Sequence, residues 1–119
     1  MTTNQLGAWG EHCALEFLVK QSYTLVAHGY RTRFGEIDII LRNSAFIVFV
    51  EVKLRKNRNF AEAREYVGRD KQRKIRATAG LWLASNGTNL QPRFDVVEIY
   101  APNGVLTQSP EIIHIENAF

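Results

Sequence analysis

Four side chains on two adjoining stretches carry the residue types for phosphodiester chemistry. Glu36 and Asp38 stand in Gly35-Glu36-Ile37-Asp38-Ile39-Ile40-Leu41-Arg42, and Glu51 and Lys53 in Ala45-Phe46-Ile47-Val48-Phe49-Val50-Glu51-Val52-Lys53-Leu54. Clustered carboxylates repel one another and lose hydration, so a sheet gathers them only against compensating positive charge. A hard divalent cation is one compensation. Mg²⁺ takes oxygen ligands, commonly one or two carboxylates with water and phosphate. Such an ion activates water and polarises a phosphodiester. A lysine two residues beyond a metal-binding glutamate can orient that water or stabilise the developing charge. The plainer alternative pairs Glu36 and Asp38 with Arg31, Arg33 or Arg42, and Lys53 with Glu51. The apolar surroundings of these carboxylates, and the basic segment that starts at Lys53, favour the metal site.

Bringing these groups together requires a hairpin. Residues 35–42 alternate, with Ile37, Ile39 and Leu41 on one side and Glu36, Asp38 and Ile40 on the other. Residues 45–54 are strongly β-forming with few polar positions, which predicts a central strand. With Asn43-Ser44 as the turn, Arg42 faces Ala45, Glu36 faces Glu51 and Asp38 faces Phe49. Asp38 is then a diagonal neighbour of Glu51, and Lys53 shares their face. A one-residue slip would send Asp38 to the opposite face.

The remaining elements follow from periodicity. Leu6, Trp9, Cys13, Ala14 and Phe17 recur at helical spacing over residues 4–21, with Thr3 or Asn4 as cap and Glu11 at the edge of the apolar stripe. Residues 23–28 read as a strand ended by Gly29. Residues 55–68 read as a mobile loop with one helical turn near Glu62–Tyr66. Asp70 to Ser85 reads as a second helix with Ile75, Ala79 and Trp82 inward, stopped by Asn86-Gly87. Strands follow at 93–100 and 111–116. The order is α-β-β-β-α-β-β. Trp9, Trp82 and Cys13 fall in apolar stripes and read as core. Asp95, two residues after Arg93, reads as half of a structural ion pair, and His114, in an apolar strand, as a core histidine.

Composition narrows the class. The chain has 119 residues, of which 45% are hydrophobic and 23% charged, which excludes a disordered or low-complexity chain and predicts one domain over residues 1–119. No apolar run reaches the length of a membrane span, no secretory signal is expected, and a single cysteine excludes an internal disulfide and Cys-based zinc sites. A soluble cytoplasmic protein is the expectation. Between Lys53 and Arg76 ten basic residues face three acidic ones, net +7, leaving −4 for the rest of the chain. A mildly acidic body with one basic segment points to a polyanion such as nucleic acid. Arg55, Lys56, Arg69, Lys71, Arg73, Lys74 and Arg76 are the expected phosphate contacts. Such contacts carry no base sequence and leave RNA open beside DNA.

Asp38 followed by Glu51-Val52-Lys53 resembles the D…(D/E)XK signature of restriction-endonuclease-like nucleases. A fuller set of motifs resembles the YraN family of small bacterial predicted endonucleases, likened to Holliday-junction resolvases. These are Gly10-Glu11, Gly35-Glu36-Ile37-Asp38, Phe49-Val50-Glu51-Val52-Lys53, Arg93-Phe94-Asp95-Val96-Val97, and the ending His114-Ile115-Glu116-Asn117-Ala118-Phe119. The resemblance implies a restriction-endonuclease-like mixed β-sheet flanked by helices. It implies that Asp38, Glu51 and the Val52 carbonyl bind Mg²⁺ or Mn²⁺, that Lys53 acts on the attacking water, and that Glu11 joins them from the first helix; Glu36, the third carboxylate of the hairpin cluster, is the accessory candidate. The expected activity is metal-dependent hydrolysis of DNA phosphodiesters, at branched or junction structures. Symmetric cutting of a junction would favour a homodimer. Two alternatives stand beside it: a nucleic-acid-binding module that has lost cleavage, and a domain whose basic segment binds an acidic protein.

Overall fold

The computed structural model describes residues 2–57 and 67–119. Its elements are α1 (Thr3–Lys20), β1 (Thr24–Thr32), β2 (Gly35–Arg42), β3 (Phe46–Arg55), α2 (Arg69–Ser85), β4 (Gln91–Tyr100) and β5 (Glu111–Ile115), with a 3-10 turn at Gly104–Leu106. This is the expected order. The strands form one open sheet in chain order, β1-β2-β3-β4-β5. Three neighbouring pairs are antiparallel, and β3–β4 is parallel. A parallel pair cannot be joined by a hairpin, so α2 makes the crossover between β3 and β4. The helical turn expected near Glu62–Tyr66, with Arg58 and Arg64, lies outside the described residues.

Each helix covers one face of the sheet. Ala14 and Leu18 of α1 pack on Ile39, Leu41, Val48, Val50, Val97 and Ile99. Ile75, Ala79 and Trp82 of α2 pack on Ile40, Ile47, Phe49 and Val96. The alternating residues of β3 and β4 therefore divide between two cores, which is why β3 reads as continuously apolar from Phe46 to Val50. Phe49 meets Trp82 edge-on at 5.9 Å, a geometry worth about 0.5–1.5 kcal/mol beyond burial.

Four local expectations are corrected. The cap of α1 is Thr2, whose hydroxyl accepts the Gln5 N–H while the Gln5 side chain accepts the Thr2 N–H. This is a capping box, and it satisfies two otherwise unpaired donors. Gly29 does not end β1, which continues through it to Thr32. At φ +59° Gly29 supplies a left-handed residue inside the strand, where a side chain would be strained. The β2–β3 turn does not pair Arg42 with Ala45. Asn43 and Phe46 close it, with Asn43 Oδ1 accepting the N–H groups of Ala45 at 2.9 Å and Phe46 at 2.8 Å, and Arg42 faces Ile47. An Asn side chain that bonds to the backbone ahead of it stabilises such a turn. The register moves by two residues, so the paired side chains from Ile39 to Arg42 keep their expected faces. Finally, Ile37 belongs to the α2-side core with Ile40 rather than with Ile39. The alternation breaks around Asp38, where the β2–β3 ladder stops at Ile39–Val50.

Candidate active site

Asp38 sits at that break. Its Oδ2 accepts the Val52 N–H at 2.8 Å, taking the place of a ladder carbonyl. The carboxyl is thereby held beside the peptide that links Glu51 to Lys53. Burial, then the Glu51 charge, push Asp38 up to about 7; the Val52 N–H works against this, and Glu11 and Glu36 add smaller upward pushes. Glu51 is only 7% exposed. Its Oε1 lies 2.9 Å from Lys71 Nζ of α2 and 3.7 Å from Lys53 Nζ of its own strand. Asp38, Glu51, Glu36, Lys71 and Lys74 line one hollow of about 280 Å³ on the α2 side of the sheet. Asp38, Glu51 and Lys53 are thus together on one face.

The other expected residues are placed differently. Glu36 does not face Glu51. It pairs with Arg31, its cross-strand partner on β1, at 3.2 Å, while its side chain still borders the cleft. Glu11 lines a separate hollow of about 290 Å³ on the α1 side, beside His28 and Ile39. Its carboxyl is raised first by burial and then by the Glu36 charge, with His28 opposing. Glu11 therefore shares the field of the cleft without lining it.

Among the basic residues, Lys71 is committed to Glu51. Burial alone would lower its ammonium pKa, but the Glu51 hydrogen bond and charge outweigh that and raise it. Arg73 and Lys74 reach Asp70 at 3.2 and 3.7 Å. Arg76 is exposed, with its guanidinium over the rings of Phe94 at 4.9 Å and Phe119 at 5.6 Å. Arg69 is exposed at the start of α2. Arg55 ends β3, and Lys56 borders a larger hollow of about 710 Å³ beside Tyr100, beyond the end of the strand.

A metal would meet hard oxygen donors here: the carboxylates of Asp38 and Glu51 and the carbonyl of Val52. Two carboxylates fit Mg²⁺ or Mn²⁺, which complete their shells with water and phosphate. Among the described residues no group of three His, Cys, Asp or Glu side chains is arranged to hold a metal, so a site here draws on backbone and solvent. The close approach of two acids with a buried, raised carboxyl is the charge imbalance that a divalent cation relieves.

Sequence reasoning missed two members of this region. Lys71 appeared only as a phosphate contact. Glu98, on β4 as the direct neighbour of Lys53, is 4% exposed and accepts the Tyr100 hydroxyl at 3.1 Å. An acidic residue interrupting an apolar strand was the signal used for Glu51, and Val96-Val97-Glu98-Ile99-Tyr100 carries the same one. On the opposite face, Arg93 donates to both oxygens of Asp95 at 2.8 Å, and His114 Nε2 lies 2.6 Å from Asp95 Oδ2. Tyr23 accepts from Arg93, and the Asn117 N–H donates to Asp95. The expected Arg93–Asp95 pair is present, and His114 is its third member.

Fold and cleft define a class: a small α/β domain whose mixed sheet carries, at the irregular end of one hairpin, an acidic pair flanked by lysines. The chain belongs to the UPF0102 (YraN) family. The model of "Uncharacterised protein family UPF0102" matches residues 10–99, a span that holds Glu11, Asp38, Glu51, Lys53 and Lys71. The chain is 38% identical to a UPF0102 protein of Rhodococcus jostii over 96% of this chain and 95% of that one. It is 42% identical to one of Symbiobacterium thermophilum, over 87% and 90%, and 42% identical to one of Acetivibrio thermocellus, over 95% and 89%. No helix among the described residues is long and apolar enough to cross a membrane.

Proposed function

We propose that this domain is a Mg²⁺- or Mn²⁺-dependent nuclease that hydrolyses DNA phosphodiesters, at branched or junction structures. One observation carries the reading. Asp38 and Glu51 share a cleft with two lysines, and the Val52 N–H fixes Asp38 beside Glu51. Asp38, Glu51 and the Val52 carbonyl would hold the ion. Bound there, it would supply the Lewis acidity that polarises a phosphodiester and makes water acidic enough to attack at neutral pH. Lys53 shares the face of Glu51, and its ammonium can stabilise the charge that develops on the phosphate. Arg69 and Lys74, at the rim, can draw the polyanion in.

The contacts of Lys53 and Lys71 with Glu51 support a second reading, a nucleic-acid-binding domain that does not cleave, because they already neutralise that carboxylate. One experiment separates the two. Purified protein with Mg²⁺ or Mn²⁺ is offered duplex, flap, junction and single-stranded substrates, DNA and RNA, with Glu51→Ala as control. The nuclease reading expects metal-dependent product that Glu51→Ala does not form. Salt-sensitive binding without product would favour the second reading, and no preference for nucleic acid would favour an acidic protein partner.

A further inference from the structure

Two ammonium groups converge on Glu51 Oε1, and they are not equivalent. Lys53, 3.7 Å away, is 28% exposed on β3, beside the carboxylate it follows in sequence. Lys71 is nearer, at 2.9 Å, and half-exposed on the first turns of α2. A buried carboxylate without positive charge beside it is costly, and Lys71, nearer than Lys53, supplies most of that charge when no metal is bound. Its ammonium is a compact point charge on a flexible four-carbon stem, able to leave one oxygen for another without moving the helix.

We propose that Lys71 is the exchangeable counterion of Glu51: it is released from this carboxylate on divalent-cation binding and then holds a non-bridging oxygen of the incoming phosphate. The proposal rests on the metal-dependent nuclease reading above. Lys71 occupies Oε1, one of the two oxygens this carboxylate would offer a metal, and a divalent cation brought onto Glu51 would repel the ammonium at such distances. Its stem lies on the cleft wall beside Lys74, so a displaced Lys71 ammonium stays at the mouth where phosphate arrives. Lys74 is less free for that task, since Asp70 lies 3.7 Å away. Lys71 thus has opposed effects on two measurements. It competes with the metal in the free protein, and it assists the phosphate in the loaded one.

Calorimetry with Mn²⁺, without nucleic acid, tests the first effect on the intact chain. Lys71→Gln should bind Mn²⁺ about three- to tenfold tighter than wild type, since a partly exposed competing ion pair is removed. Lys71→Arg, which keeps the charge, should bind no tighter than wild type. Arg73→Gln makes the same change in net charge beside Asp70 and should shift affinity by less than about twofold. At saturating Mn²⁺, Lys71→Gln should cleave a DNA substrate about tenfold or more slowly. Unchanged or weaker Mn²⁺ binding by Lys71→Gln would overturn the counterion role while leaving the metal reading intact. Equal or faster cleavage would overturn the phosphate-holding role. A wild-type protein that binds no Mn²⁺ would remove the metal reading and this proposal together.

Discussion

Asp38 Oδ2 accepts the Val52 N–H at 2.8 Å where the β2–β3 ladder ends. A side chain thus does the work of a main-chain acceptor, and one hydrogen bond both closes the edge of the ladder and aims a carboxyl at Glu51. The sheet irregularity and the candidate site are the same structural event. Irregular strand positions beside active sites are a recurrent device for re-aiming a side chain.

Asp38 should make stability depend on pH. Its folded-state carboxyl titrates at about 7, above the roughly 3.9 of an unfolded aspartate. The folded state therefore binds this proton more tightly. Stability from this source is full below about pH 4 and is lost as pH rises through about 7. Asp38→Asn keeps an acceptor for the Val52 N–H and removes the charge. In metal-free buffer it should be more stable than wild type at pH 8 by about 1–2 kcal/mol, a gap that closes towards pH 4. Urea unfolding at both pH values in EDTA checks this, and a less stable Asp38→Asn at pH 8 would contradict it.

Cleavage should fail differently at each position. Asp38→Ala and Glu51→Ala should lose metal-dependent product altogether. Lys53→Ala should keep Mn²⁺ binding and lose about 10²- to 10³-fold in rate, as for removal of one donor to developing charge. Paired calorimetry and cleavage assays read both halves. Undiminished product from Glu51→Ala would point to a contaminating nuclease.

The salt dependence of binding should locate the phosphate contacts. Each neutralised phosphate of duplex DNA contributes about −0.9 to the slope of log K against log salt. Arg69→Gln with Lys74→Gln should flatten the slope by about 1–2 units. Arg76→Gln should change it little and lower stability instead, because Arg76 covers Phe94 and Phe119. A slope change of one unit from Arg76→Gln alone would show that this side chain leaves the rings for phosphate.

Asp95 should behave oppositely to Asp38. Burial would raise its carboxyl, but hydrogen bonds from His114, Arg93 and the Asn117 N–H outweigh burial and hold it below the usual carboxylate range. Its stabilisation is then present above about pH 4, the unfolded value, and is lost as pH falls through the depressed folded one. Asp95→Ala should cost about 3 kcal/mol at pH 7, since it leaves the buried Arg93 charge with only the exposed Glu116 carboxylate, 3.9 Å away. Acid unfolding followed by circular dichroism should be shallower in Asp95→Asn than in wild type below pH 4.

The turn offers a test free of charge effects. Asn43→Ala removes the acceptor for the N–H groups of Ala45 and Phe46 and should cost about 1 kcal/mol in denaturant unfolding. No loss would mean that the register is held by the cores alone.

The sequence alone determined what depends on local period. Helical spacing marked both helices, period two marked the strand at 35–42, a β-forming apolar run marked the one at 45–54, and the parity of the 36–53 hairpin put Asp38, Glu51 and Lys53 on one face. That parity survived a two-residue shift of the turn, because a shift of two returns the paired side chains to their own side. Local pattern could not reveal that β1 runs on through Gly29, since a glycine marks a strand end and a left-handed residue within a strand equally well. Nor could it reveal that Ile37 leaves the face of Ile39, because that break comes from a side chain entering the ladder. The Arg93–Asp95 pair was legible because both residues stand on one strand, but the partners that charged groups find on distant elements were decided only by packing. Lys71 reaches Glu51 because α2 crosses over the face of β3. His114 reaches Asp95 because β5 pairs beside β4. Arg76 is drawn onto Phe94 and Phe119 by the way the chain end folds back, with the Ala118 N–H bonded to the Phe94 carbonyl. A charged residue in a sequence shows its sign and its element. Which opposite charge it meets depends on how elements distant in the chain dock, and that is settled by burial of the two apolar cores.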